Sequence, residues 1–217
     1  SMDINNYHLL EQVAEKKKPV ILSTGMSTIS EIDKALTLLY KNDVEEIALL
    51  HCISIYPPLY EDINLNNISM LREAFGLPIG FSDHTIGTAI PLASIALGAC
   101  IIEKHFTIDK TLSGWDHSIS ADPHEMKIIR EEGDNIAKSL GSSVRIVSSA
   151  EQEKKLKFRR SVVYVKSLPK GHIINKDDLT GKRPGTGVSP ELIENIIGRK
   201  LNTSVEGDTL LDWNHIG

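Results

Sequence analysis

A parallel α/β fold, followed by a small turn-rich β module, is what this sequence predicts. Three observations carry the prediction. Short apolar runs recur at intervals of about 25 to 30 residues with helical patterning between them, the spacing of successive β-α units. The runs are apolar throughout, as in strands buried on both faces of a parallel sheet, and each turns polar at its C-terminal end. From Gly141-Ser142-Ser143 onward the helical periodicity gives way to short strand-like segments and Pro-Gly turns.

The elements justify themselves in order. Asp3 or Asn5 can cap a first helix, in which Leu9, Leu10, Val13 and Ala14 keep the 3.6 period. Lys16-Lys17-Lys18 closes it, where positive charge complements the carbonyl end of the helix. Pro19-Val20-Ile21-Leu22 reads as a buried strand and passes into Ser23-Thr24-Gly25-Met26. Ser27 or Thr28 caps the next helix, with Glu31 three residues after Thr28 completing a capping box. Ile32, Ala35, Leu36 and Leu39 form its inner face. Glu46 to Cys52 is the second strand, followed by Ile53-Ser54-Ile55-Tyr56-Pro57-Pro58, a loop of Asn, Asp and Pro, and a helix through Ile68, Leu71 and Ala74. Ile79 to Phe81 is the third strand, Ile90 to Leu97 a mostly apolar helix and Cys100 to Glu103 the fourth strand. A long loop then holds Asp109, Gly114, Trp115, Asp116 and His117. Asp122-Pro123 opens a helix through Met126, Ile129 and Ile136, with proline in the first turn. The runs at residues 20–22, 47–52 and 99–102 are too apolar to face water.

Four such units fit an open doubly wound sheet or part of a barrel. A complete eight-unit barrel needs about 250 residues, and only residues 1–140 precede the change of texture. Residues 141–157 read as a polar linker with a helical second half, and residues 158–217 as the second module. Within it, Ser161 to Val165 is a strand, Leu168 to His172 a turn, Asn175 to Leu179 a capped helical turn and Lys182 to Gly187 a rigid basic turn. Ser189-Pro190 starts a short helix, and Gly207 to Leu211 closes the chain with a strand.

Composition bounds the function. With 217 residues, 41% hydrophobic and 24% charged, the chain has the balance of a globular protein with a real core. A net charge of −5 argues against general affinity for nucleic acid. No apolar run is long enough to span a membrane, and the N-terminal residues lack the apolar stretch of a secretion signal. Cys52 and Cys100 both lie in apolar runs and read as small buried hydrophobes in a reducing compartment, so the cytoplasm is the expected location.

The chemistry concentrates in Gly80-Phe81-Ser82-Asp83-His84-Thr85 and Glu103-Lys104-His105-Phe106-Thr107. Each follows an apolar run, at the C-terminal strand end where α/β folds place their reacting groups. Two histidines at neighbouring strand ends can share one pocket, and neutral imidazole is the commonest protein metal ligand, which points to a divalent metal site. The alternative is two unrelated polar residues capping strand ends, since two histidines alone make a short signature.

These two stretches, together with Ile21-Leu22-Ser23-Thr24-Gly25-Met26 and Leu50-His51-Cys52, closely resemble the sialic acid synthase family. Arg159-Arg160-Ser161 leading to Lys182-Arg183-Pro184-Gly185 resembles the antifreeze-like (SAF) domain that ends such proteins. The resemblance covers essentially the whole chain and implies a fold: the C-terminal half of a (β/α)8 TIM-type barrel, followed by a small β-rich SAF domain. It implies an activity as well, the condensation of phosphoenolpyruvate with an N-acetylated sugar aldehyde to a nine-carbon 2-keto sugar acid with release of phosphate. N-acetylneuraminate, legionaminate and pseudaminate are such products. The family's strands 1 to 4, with a catalytic glutamate and phosphate-binding lysines, have no counterpart here, so the chain alone is expected to be an incomplete, inactive catalytic unit. A non-catalytic sugar- or anion-binding module that retains the SAF domain is the alternative.

The resemblance also assigns roles. His84 and His105 match the metal ligands, with Mn2+ or Mg2+ as the ion. Ser23, Ser54 and Ser82 follow successive strands, at places where the family binds phosphoenolpyruvate; asparagine commonly stands where this chain has Ser54. Tyr56 matches a tyrosine near the sugar and Asp116 a substrate-binding aspartate, and these two are the candidate catalytic residues. Phe158 and Arg183 match substrate-binding residues that the SAF domain of one subunit brings to the barrel of its partner, so a homodimer is expected. Simple turn and cap residues are the alternative for the serines and Asp116, a packed aromatic for Tyr56 and a solvated basic turn for Arg183.

Overall fold

The computed structural model describes residues 1–217. The chain divides into two compact units, Ser1–Ser142 and Ser143–Gly217. In the first unit, helices and strands alternate. Helix α1 (Tyr7–Ala14) precedes β1 (Val20–Ser23), α2 (Ile29–Lys41), β2 (Ile47–Cys52), α3 (Asn67–Phe75), β3 (Ile79–Asp83), α4 (Ala89–Ala96), β4 (Ile102–Lys104) and α5 (Pro123–Leu140). The second unit holds α6 (Ser149–Phe158), β5 (Ser161–Tyr164), β6 (Leu179–Lys182) and α7 (Ile193–Ile196), with short 3-10 turns between them.

The four strands of the first unit form one parallel sheet in the order β1-β2-β3-β4. Doubly wound sheets reverse their strand order at a switch point, whereas a barrel adds each strand beside the last. The sequential order therefore makes this sheet a segment of a barrel and removes the first of the two alternatives. Register pairs Leu22 with Leu49, Leu49 with Ile79 and Phe81 with Ile102. All four strands thus end along one rim.

One core lies between this sheet and its helices. It is built from Ile32, Leu36 and Leu39 of α2, Leu49 of β2, Ile68 and Leu71 of α3, and Ile79 and Phe81 of β3. Capping fixes the helix starts. Thr28 and Glu31 close a capping box on α2, and Asp122 and Glu125 close one on α5, with Pro123 at its first turn. No helix is long and apolar enough to cross a membrane. The second unit has its own core of Val162, Tyr164, Ile174, Ile196, Leu201 and Leu211, around the antiparallel pair β5-β6.

Six details differ from the sequence reading. The side chain of Asn6, rather than Asp3 or Asn5, caps α1 by accepting from the Leu9 amide. The third strand runs on to Asp83, and the fourth begins at Ile102 instead of Cys100. Cys100 is exposed, because it lies before the edge strand β4 and has a strand on one side only. Ile21 is 58% exposed for the matching reason at the other edge, β1, so an apolar run does reach water there. Finally, Gly207 to Leu211 contributes only an isolated bridge, Leu210 against Val163, and no full strand.

Candidate metal and substrate site

The rim at the C-terminal ends of the sheet gathers most of the polar residues that the sequence singled out. His84 follows β3 directly and His105 follows β4 directly. Their ring centroids lie 5.3 Å apart at a steep interplanar angle of 72°. Tyr56, from the loop after β2, tilts over His84 at 4.1 Å and meets His105 edge-on at 5.7 Å. Three aromatic rings from three successive strand ends thus form one cluster.

The two imidazoles differ in what stands at Nδ1. His84 Nδ1 lies 2.9 Å from the carbonyl oxygen of Ile53, and His105 Nδ1 lies 3.6 Å from Asp116 Oδ2. A carbonyl can only accept, so the Ile53 oxygen fixes a proton on His84 Nδ1, whereas at 3.6 Å Asp116 is a charged neighbour of His105 and not its hydrogen-bond partner. A carbonyl behind the ring, as at His84, is an outer arrangement that metal-binding histidines use. The donor chemistry fits a divalent cation. No group of three or more His, Cys, Asp or Glu side chains converges to hold a metal by itself.

The serines gather around Cys52. Ser23 Oγ is 2.7 Å from Ser1 Oγ, which donates to Cys52 Sγ at 3.5 Å. Ser54 Oγ lies 3.8 Å from the same sulfur. Burial alone would push the Cys52 thiol up; hydrogen bonds from His84, Ser1, Ser23 and Ser82 outweigh it and bring it down to about 6. Burial likewise pulls His84 down, but the Cys52 sulfur, the Ile53 carbonyl and the charge of Asp83 raise it overall. Burial raises the Tyr56 phenol, and the negative charges of Cys52, Asp116 and Glu103 add to the effect. Gly25 allows this crowding, since a Cβ there would lie 2.3 Å from Ser54 Oγ and 3.1 Å from the Cys52 sulfur. Ser82 is buried and donates to Glu103 Oε1 at 2.7 Å.

Two residues in this arrangement escaped the sequence reading. Cys52 reads in the sequence as a simple hydrophobe, whereas its sulfur is the atom around which three candidate serines meet. Glu103, the partner of Ser82, stood in plain view inside the Glu103-Lys104-His105 stretch, and its position beside Ser82 in the parallel register is the signal that identifies it.

Phe158 and Arg183 form a pair of their own in the second unit. Arg183 Nε donates to the Phe158 carbonyl at 3.1 Å, and its guanidinium carbon sits 5.7 Å over the Phe158 ring. The turn that carries Arg183 is pinned on two sides. The Gly185 amide donates to the Leu156 carbonyl of α6 at 2.8 Å. Ser161 Oγ donates to the Pro184 carbonyl at 2.7 Å and accepts from the Gly187 amide at 2.8 Å.

Comparison with known proteins bears on both units. Residues 1–145 match the NeuB family model and residues 159–217 match the SAF domain model. The chain is 41% identical over 220 residues to an N,N'-diacetyllegionaminic acid synthase of Legionella pneumophila, with all of this chain and 62% of that protein covered. It is 34% identical over 216 residues to a pseudaminic acid synthase of Helicobacter pylori, again over its whole length and 64% of the relative. The crystal structure of an N-acetylneuraminic acid (sialic acid) synthetase from Leptospira borgpetersenii, in complex with citrate, superposes with a TM-score of 0.66 at 43% identity. That match covers 70% of this chain and 53% of the other. The chain therefore spans less than two thirds of the length of the relatives it matches.

Proposed function

This chain belongs to the NeuB family, and from that premise we propose that it forms the C-terminal half of the barrel, with the SAF domain, of a synthase that joins phosphoenolpyruvate to an N-acetylated sugar aldehyde. The product would be a nine-carbon 2-keto sugar acid of the sialic, legionaminic or pseudaminic kind, formed with release of phosphate. One observation carries the reading: His84, His105 and Tyr56 close into one cluster on the rim, with the Ile53 carbonyl behind His84 and the Asp116 carboxylate beside His105.

His84 and His105 would hold Mn2+ or Mg2+ through one ring nitrogen each, with the remaining ligands taken from water and substrate oxygens, as hard ions prefer. The ion would polarise the aldehyde oxygen, where negative charge develops as the enol carbon attacks. The chain's own residues do the rest by position. The hydroxyls of Ser23 and Ser54, with the amides of their loops, can donate to a phosphate or carboxylate, and Ser82, whose proton goes to Glu103, would join them only by giving up that bond. Asp116 is half exposed beside His105, so its carboxylate can accept from sugar hydroxyls. Tyr56 offers a hydroxyl and a ring face at the same place. Arg183, fixed on its pinned turn and over Phe158, presents the remaining guanidinium N–H groups to a carbonyl such as the sugar's amide.

The test is turnover. A form of the protein extended to the length of its relatives should release phosphate from phosphoenolpyruvate in the presence of an N-acetylated sugar aldehyde and Mn2+. Arg183→Ala in that form should raise the sugar's KM more than that of phosphoenolpyruvate. No release from the extended form with N-acetylmannosamine or its diacetylated or 6-phosphorylated relatives would overturn the reading. The 217-residue chain alone should release none.

A further inference from the structure

One buried charged pair has no place in the site described so far. Lys104 Nζ lies 2.6 Å from Asp83 Oδ2, and the two side chains are 1% and 0% exposed. Burying two charges strips both of water, and a well-packed apolar pair of similar volume usually serves stability as well or better. The pair's surroundings suggest a different use for it.

Asp83 and Lys104 face each other in the parallel register of β3 and β4, and each immediately precedes one of the two histidines. The pair also reaches past His84. Asp83 Oδ1 accepts from the Thr85 amide at 2.9 Å, Asp83 Oδ2 accepts from Thr85 Oγ1 at 3.2 Å, and Lys104 Nζ donates to the Thr85 carbonyl at 2.5 Å. Residues 83 and 85 are thus clamped on either side of His84. His105 is clamped in turn, between the Lys104 end of the pair and its own carbonyl, which accepts from the Ala121 amide at 2.7 Å.

We propose that the Asp83–Lys104 ion pair is a positioning device that fixes the backbones of His84 and His105 relative to each other and so sets the contact between their rings. It acts through the histidines and touches no substrate. The inference rests on the reading of those histidines as cation ligands, but its first readout needs no ion.

The experiment replaces the pair in the full 217-residue chain. In Asp83→Leu/Lys104→Met the charges go and the volume stays, so melting temperature and circular dichroism report whether the fold is kept. Nuclear Overhauser contacts between the His84 and His105 rings, measured without metal, report the geometry. The affinity for Mn2+ alone, read by electron paramagnetic resonance, reports the consequence. We expect a folded variant that has lost the ring contact and binds Mn2+ at least about tenfold more weakly, the usual size of an outer-shell effect. The neutral hydrogen-bonding pair Asp83→Asn/Lys104→Gln should restore the ring contact. A folded apolar variant that keeps the ring contact overturns the proposal, as does absence of the contact in the unaltered chain. If the unaltered chain shows the ring contact but takes up no Mn2+, the cation reading fails while the ring contacts still decide this one. Should the apolar variant not fold, Lys104→Arg carries the test: its bulkier head must shift the ring contact if the pair sets it, and an unchanged contact overturns the proposal.

Discussion

Asp178 has no exposed surface, yet two hydrogen bonds and an ion pair hold it charged in the second unit. His172 Nε2 lies 2.7 Å from Oδ2, the Asn175 amide donates to the same oxygen at 3.0 Å, and Lys166 Nζ forms an ion pair with Oδ1 at 3.1 Å. Burial alone would push the carboxyl up; the Asn175 amide, His172 and Lys166 outweigh it and bring it down to about 2. A carboxyl depressed in the folded state stabilises the fold above its unfolded value of about 4 and loses that contribution as pH falls through its folded value. The second unit should therefore lose melting temperature between about pH 4 and pH 2, and Asp178→Asn should lower stability at pH 7 while flattening that acid dependence. An unchanged acid slope in Asp178→Asn would show that other groups carry it. At this scale the sequence was half legible. Asn175 and Asp178 announced a capped turn, but the partners His172 and Lys166 come from outside that turn. The same holds for Cys52, whose polar neighbours Ser23, Ser82 and His84 follow or sit in different strands, so that an apolar run concealed a polar hub.

Gly80 shows how an element can depend on the lack of a side chain. It sits inside β3, where a Cβ would lie 2.5 Å from Leu50 Cδ2 and 2.7 Å from both the Cβ and the carbonyl oxygen of Ile101. The backbone contact cannot relax without moving β4, and β4 carries His105. Gly80→Ala should destabilise the first unit by about 1 to 3 kcal/mol, the usual cost of overpacking a core, as measured by urea denaturation. A loss below about 0.5 kcal/mol, within the range of ordinary surface substitutions, would mean that the strands yield easily. Strand existence was legible from the apolar runs because β2 and β3 are buried in the middle of the sheet. The bounds of β1 and β4 were less so. A run of apolar residues records burial, and Ile21 and Cys100 lie at or beside edges that the sequence does not mark. Capping was a legible local signal at Thr28 with Glu31 and at Asp122-Pro123, because such contacts span three residues and need no tertiary context.

The sequential strand order leaves β1 and β4 each with an unpaired side in this chain, and unpaired edges beside exposed apolar residues invite association. Sedimentation at micromolar concentration should accordingly find a dimer or larger species, and a stable monomer would contradict that expectation. The choice between a doubly wound sheet and a barrel segment was not legible from periodicity, since both repeat the same β-α unit; strand order alone separates them. The motifs around His84 and His105 did reveal the rim, because strand-end residues keep their chemistry whatever the sheet's closure. The account stands most directly on the cation at that rim, and the measurement is a Mn2+ titration of the 217-residue chain followed by electron paramagnetic resonance, beside His84→Ala and His105→Ala. The account predicts that the signal of free Mn2+ is depleted by the unaltered chain and restored by either substitution, while both variants keep their melting temperature to within a few degrees. Equal depletion by all three proteins, or none by any, would contradict it.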